Sequence, residues 1–164
     1  MHPNPAFRSE DEAANLKFAA ERGFGMLTAG GAEGPLAAHV PFLLETGHAD
    51  LHLARSNALG RAVMAAGRLP AIIAVSGPDC YISPDWYGTP DQVPTWNYVA
   101  VHLRGVLEPL PETALQRIVD AVSAHHEARL LPKTPWVSTK MSAGVMERML
   151  RMILPFRLHL TGVE

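Results

Sequence analysis

Arg55, Ser56 and Asn57 stand together in HLARSN (52–57), where an apolar, strand-like stretch gives way to a helix-like one. A guanidinium fork, a hydroxyl and the free N–H groups of a helix start suit a phosphate. The helix terminus carries partial positive charge, and arginine binds oxygen pairs bidentately. The same pattern reads equally well as a helix cap beside a surface arginine. A second group is aromatic. Tyr81, Trp86, Tyr87, Trp96 and Tyr98 fall in GPDCYISPDWY (77–87) and VPTWNYVAVH (93–102), in a chain that is only 7% aromatic. Such rings can wall a planar ligand, or they can fill a core or a subunit interface. AAHVP (37–41) is a third polar stretch within apolar surroundings. His39, His52 and His102 lie on separate strand-like segments, and a metal site would require them to converge, which their spacing does not establish. His125 and His126 read as surface residues of a helix, or as a charge complement to its C-terminus. There is no Gly-x-Ser-x-Gly elbow, Gly-Lys-Ser/Thr phosphate loop or dinucleotide fingerprint, which sets aside the enzymes built on them.

The elements that must position these residues follow from pattern and punctuation. Ser9 and Glu12 form a capping box for a helix from Glu10 to about Arg22, stopped by Gly23. FGMLTA, the turn AGGAEG and PLAAHVPFLLE predict a hairpin, and LHLAR the next strand. Asn57 caps a short helix ended by Gly67, after which PAIIAVSG reads as a buried strand and CYISP as a short extended piece. In VPTWNYVAVHLRGVL, Val93, Val99, Val101 and Leu103 share one face, while Trp96, Tyr98, His102 and Arg104 share the other. Leu115, Ile118, Val119 and Val122 predict an amphipathic helix over 111–130, broken by Pro132 and Pro135. A further helix capped by Ser142 turns Val145, Met146, Met149 and Ile153 inward, and PFRLHLTG closes the chain as a strand. Antiparallel-looking strands with helices near both chain ends predict a mainly β (α+β) protein, a β-barrel with flanking helices.

The 164 residues suffice for one domain with a sizeable core, and 48% hydrophobic with 18% charged residues is ordinary globular composition. No apolar run is long enough to span a membrane, and MHPNPAFRSEDE lacks the layout of a signal peptide, so a cytoplasmic location with no membrane partner is expected. Cys80 is the single cysteine, expected as a packed strand residue; it allows no internal disulfide. The formal charge of −2 is unevenly spread: from Arg129 onward six Lys or Arg face Glu147 and Glu164. That basic tail is the one electrostatic hint of DNA, and a solvated helix face accounts for it as well.

MHPNPAF, AAHVPFLL, LHLARSN, GPDCYISPDWY and VPTWNYVAVHLRG follow one another in the order found in the PaiB family, and MLRMILPFRLHLTGVE extends the likeness to the last residues. The chain therefore resembles that family over most of its length. The resemblance implies a six-stranded antiparallel split β-barrel similar to the pyridoxamine-phosphate-oxidase-like flavoproteins. It also implies a homodimer with FMN sites at the subunit interface. On this likeness HLARSN, which begins at His52, supplies phosphate and ribityl contacts through Arg55, Ser56 and Asn57. His39, Val40 and Pro41 line the ring edge largely through backbone. Thr95, Trp96, Asn97 and Tyr98 close the pocket, and Trp86 or Tyr87 reaches toward the other protomer. The sequence departs from the family in having Ala58 where proline is frequent, and in ending at Glu164 before the usual Lys-Leu-Ser-Gln-Asn segment, which implies weaker flavin retention if that segment helps to hold the cofactor. Three functions are compatible: a flavin-dependent redox or sensor protein, a DNA-binding transcriptional regulator, and a haem or small-ligand binding protein.

Overall fold

The computed structural model describes residues 4–8 and 11–164. Six strands, β1 (Phe24–Gly31), β2 (Gly34–Glu45), β3 (His48–Ala54), β4 (Leu69–Ile82), β5 (Thr95–Pro109) and β6 (Ile153–Val163), pair antiparallel in the ring β1-β2-β3-β6-β5-β4. The β1–β4 ladder, from Met26↔Ala74 to Ala29↔Ala71, closes it. Period-2 alternation explains the closure, because every strand sends one set of apolar side chains to a common interior. Leu27, Phe42, Leu51, Ile73, Leu103, Leu107, Phe156 and Leu158 are essentially inaccessible there. Each such side chain contributes about 1.5–3 kcal/mol by leaving water.

The ring is incomplete along one seam. The β2–β3 ladder runs only from Glu45↔His48 to Phe42↔Leu51, although β2 begins at Gly34 and β3 continues to Ala54. Beyond Phe42 and Leu51 the two strands go to other partners, β2 to β1 and β3 to β6. Helix α2 (Ala58–Ala66) leaves β3 at this split and contacts β1, β2 and β5. It sends Leu59 and Val63 into the core. Helix α1 (Glu12–Arg22) touches β2, β5 and β6 and contributes Ala19 to the core.

Helix α3 (Leu115–Glu127) lies over the outer face of β2, β3 and β6. It buries Leu115, Ile118 and Val122 and is tied down by Asp50, which points outward from β3 yet is fully inaccessible. The Asp50 carboxylate accepts from Arg157 Nε at 2.7 Å and Nη2 at 2.9 Å, and from Arg117 of α3. Burial alone would raise its pKa, but these hydrogen bonds outweigh it and hold the group below its ordinary value.

Several expectations shift. The Ser9 cap falls outside the described residues; the observed cap is Asp11, whose Oδ1 accepts from Ala14 N at 3.0 Å, and α1 starts at Glu12. PAIIAVSG and CYISP are one strand, because a register irregularity between Ser76 and Asp79 lets β4 bend and continue. Gly77 belongs there: a Cβ would stand 2.8 Å from Phe18 Cζ and 3.0 Å from Val99 Cβ. Val93 precedes β5 and is exposed, as is Val99. The 111–130 helix is α3 flanked by short 3-10 turns. Ser142 does not cap: α4 (Val145–Leu150) follows Gly144 without a side-chain cap, Met149 faces solvent, and Ile153 already belongs to β6. Cys80 is exposed rather than packed, because β4 has by then left the barrel wall.

Candidate functional site

Two regions hold the residues singled out by sequence. The first is the split. His39 and Pro41 are on β2 and His52 on β3, and Arg55, Ser56 and Asn57 join β3 to α2. Val40 points into the core, so only its backbone is offered outward. His39 is exposed and stacks on Phe24, with ring centroids 6.2 Å apart. Arg55 projects from the end of β3, where its Nε donates to the Arg151 carbonyl at 2.6 Å and its Nη2 pairs with Glu112 Oε2 at 2.7 Å. Asn57 is a helix cap: its Oδ1 accepts from Leu59 N at 2.9 Å and Gly60 N at 3.4 Å. The cap reading of this stretch is realised at Asn57, and Arg55 is a half-exposed arginine that pairs with Glu112.

The second region is an arm, formed where β4 and β5 continue past the bulge as the ladder Asp79↔Tyr98 to Ile82↔Thr95. Tyr81, Trp86, Tyr87, Trp96 and Tyr98 are all exposed, Trp86 most of all at 71%. Trp96 Nε1 donates to Asp79 Oδ1 at 3.0 Å and its ring tilts against Tyr81, with centroids 6.2 Å apart. Alternation divides the expected pocket residues between two faces. Trp96 and Tyr98 share the outward face with His102, which the register places in a row with Ala74, Met26 and His39. Thr95 and Asn97 turn the other way, and a cleft of about 730 Å³ runs along this stretch of β5, bordered by all four residues from Thr95 to Tyr98 and, across it, by Arg8, Asn15 and Phe18.

The arm and the split do not meet within one chain. Glu112, which touches Arg55, follows the far end of β5. The length of a tilted β5, on the order of 30 Å along the barrel axis, separates that end from Trp96.

Among the described residues, His52 Nδ1 and His102 Nδ1 are buried side-chain atoms with no hydrogen-bond partner. Burial lowers the pKa of both histidines, which keeps them neutral near pH 7. His102 shares the strand face of Trp96 and Tyr98, as alternation predicts, and strand register adds the row that joins it to His39. No group of three His, Cys, Asp or Glu among the described residues is placed to hold a metal ion. His125 and His126 lie on α3, where their rings meet edge-on at 5.1 Å beside Gly23, at the C-terminal end of α1. The basic tail is partly committed, Arg157 to Asp50 and Lys133 to Glu127. No helix among the described residues is long and apolar enough to cross a membrane.

With this geometry in view, comparison with known proteins decides the family. The family described as "Putative FMN-binding domain" matches residues 1–162. The chain belongs to this family. Its cofactor is FMN. A curated relative, the protease synthase and sporulation protein PAI 2 of Bacillus subtilis, is 28% identical over 151 residues, covering 90% of this chain and 70% of that protein. Among solved structures, the FAD and heme binding protein of Mycobacterium smegmatis superposes with a TM-score of 0.65 at 15% identity, over 94% of this chain and 70% of its own. An FAD-binding protein of Mesorhizobium loti gives 0.55 at 14% identity, over 95% and 94%. These two likenesses show the split-barrel fold that the sequence resemblance implied.

The residues at the split fit the family's cofactor. A phosphate needs a cation able to receive an oxygen pair, and Arg55 already receives a carboxylate oxygen. A flat heterocycle edged with donors and acceptors needs unpaired polar groups and apolar faces. The β2 edge released at the split and the exposed rings of the arm supply these in two separate places.

Proposed function

We propose that two copies of this chain pair so that the arm of each covers the split of the other, forming two FMN sites, and that the protein acts as a flavin-dependent redox or sensor protein. The observation that carries this reading is the distance, within one chain, between the anion-binding arginine and the exposed rings. A single copy has half a site at each end, and a twofold axis joins the halves. Uncovered apolar surface supports the same conclusion. Phe24, Met26, Tyr81, Trp86, Trp96 and Tyr98 are 38–71% exposed on or beside one continuous sheet face.

In this arrangement Arg55, Ser56 and the first N–H groups of α2 hold the phosphate, and Asn57 acts indirectly by fixing where α2 starts. His39, Pro41 and the backbone of Val40 border the ring system, and the partner's Trp96 and Tyr98, with its Trp86, exclude water from it. His52, neutral and without a hydrogen-bond partner, lies beside the split as a potential hydrogen-bonding group. Thr95 and Asn97 face the cleft beside α1 and serve whatever enters there. When bound, FMN supplies the electron chemistry; the chain contributes position, charge and a dry surface.

Titration of the purified protein with FMN and with riboflavin tests the reading. FMN should bind and turn the protein yellow, and Arg55→Ala should weaken FMN at least tenfold while leaving riboflavin unchanged, since a charge-assisted bidentate contact contributes about 1.5–3 kcal/mol. Protein that remains colourless in excess FMN, or sediments as a monomer at every concentration, sinks it.

A further inference from the structure

The mouth of the split contains an anion of the chain's own. Glu112 opens the 3-10 turn between β5 and α3, and its Oε2 lies 2.7 Å from Nη2 of Arg55. Beside it on the same edge of the guanidinium, Nε donates to the Arg151 carbonyl, which fixes the plane of the group and leaves the Nη1–Nη2 edge for an oxygen pair. The two side chains are 41% and 59% exposed, so the pair opens at little cost.

We propose that Glu112 is a resident competitor for the phosphate position, holding the Arg55 fork until a phosphate replaces its carboxylate. This rests on the flavin reading above. A carboxylate and a phosphate offer a guanidinium the same pair of oxygens, so the two ligands compete for one donor edge. With Glu112 in place the pair is neutral and draws no anion. A phosphate dianion regains the attraction by displacing it, whereas a single-charged anion gains little over the carboxylate it removes. Glu112 therefore sets affinity below what Arg55 alone would give and biases the split toward ligands that bear a phosphate.

The test is Glu112→Gln, which keeps the side chain's shape and removes its charge, with FMN, riboflavin and inorganic phosphate as probes on the intact chain. The dissociation constant for FMN should fall roughly three- to fivefold, the range expected for an exposed ion pair. Riboflavin should be unaffected, and inorganic phosphate titrated without FMN should bind tighter by a similar factor. Glu112→Asp, which keeps the charge but shortens the reach, should fall between the two. An FMN constant that is unchanged or higher in Glu112→Gln overturns the proposal while leaving the flavin reading intact, and so does an equal tightening of riboflavin. Folded parent and variant that both ignore FMN overturn the flavin reading and this proposal with it.

Discussion

On the β2–β3–β6 half of the barrel the outer face lies under α3 and is anchored by a buried carboxylate held by Arg157 and Arg117. On the β1–β4–β5 half the outer face carries Phe24, Met26 and the aromatic arm into solvent, with His39 of the adjoining β2 stacked on Phe24. Both halves share one interior, so the difference lies in what finishes the outside. The covered half commits Asp50, Arg117 and Arg157 to internal pairs, and opens only at the β2–β3 split. The open half presents exposed aromatic rings, which is the composition of a surface that becomes interior on association. The pairs that anchor one chain are thus gathered under α3, while the rings left for association lie on the other side of the same sheet.

The sharpest way to break this division is Asp50→Asn. Removing one member of a buried charge network leaves the others unsatisfied, and a loss of about 3 kcal/mol in urea denaturation is expected. The effect should depend on acid. The folded pKa of Asp50 is lowered from 3.8, so its contribution is fully present above that pH and fades as pH falls below it. The variant should lose this acid limb yet bind FMN as the parent does. A variant as stable as the parent, or one that loses FMN while still folded, would merge the two halves.

Next in size is the double substitution Trp96→Ala, Tyr98→Ala. Aromatic anchors at an interface commonly contribute 2 kcal/mol or more, so pairing should weaken roughly thirtyfold by sedimentation, with little change in the unfolding free energy of the separated chain. Loss of folding instead would show that the arm's rings belong to the core.

Much of this division was legible in the sequence. Alternation in VAVHLRGVL assigned Val101 and Leu103 inward and His102 and Arg104 outward, and Leu115, Ile118 and Val122 marked the face of α3 that docks. Asn57 announced its cap, because capping is a local property of a few residues. What could not be read was long-range. The bulge at Gly77 depends on Phe18 reaching it from α1, and the Asp50–Arg157 pair joins residues more than a hundred positions apart. The pairing of Arg55 with Glu112 follows from a turn whose course only the closed barrel sets. Trp96 and Asn97 were grouped as neighbours in sequence, whereas a strand sends them to opposite sides. The family resemblance supplied the cofactor, and strand register added that Arg55 and the rings of the arm stand at different ends of the barrel.

The smallest expected effect compares the halves by their histidines. His52 lies on β3, in the covered half, and His102 on β5, in the open one; burial lowers both from 6.5. Unfolding returns each to its ordinary value, so below about pH 6.5 the unfolded chain takes up protons that the folded chain resists, and stability declines as pH falls. Pairing should separate the two residues. If a partner covers the open face, His102 is buried further and its pKa drops again with rising protein concentration, while His52, already enclosed, stays where it is. Imidazole proton shifts followed by NMR at low and high concentration read this directly, and Trp96→Ala, Tyr98→Ala should abolish the concentration dependence of His102 alone. Equal shifts at both histidines would mean that association remodels the whole barrel, and an unmoved His102 would place the partner on some other face.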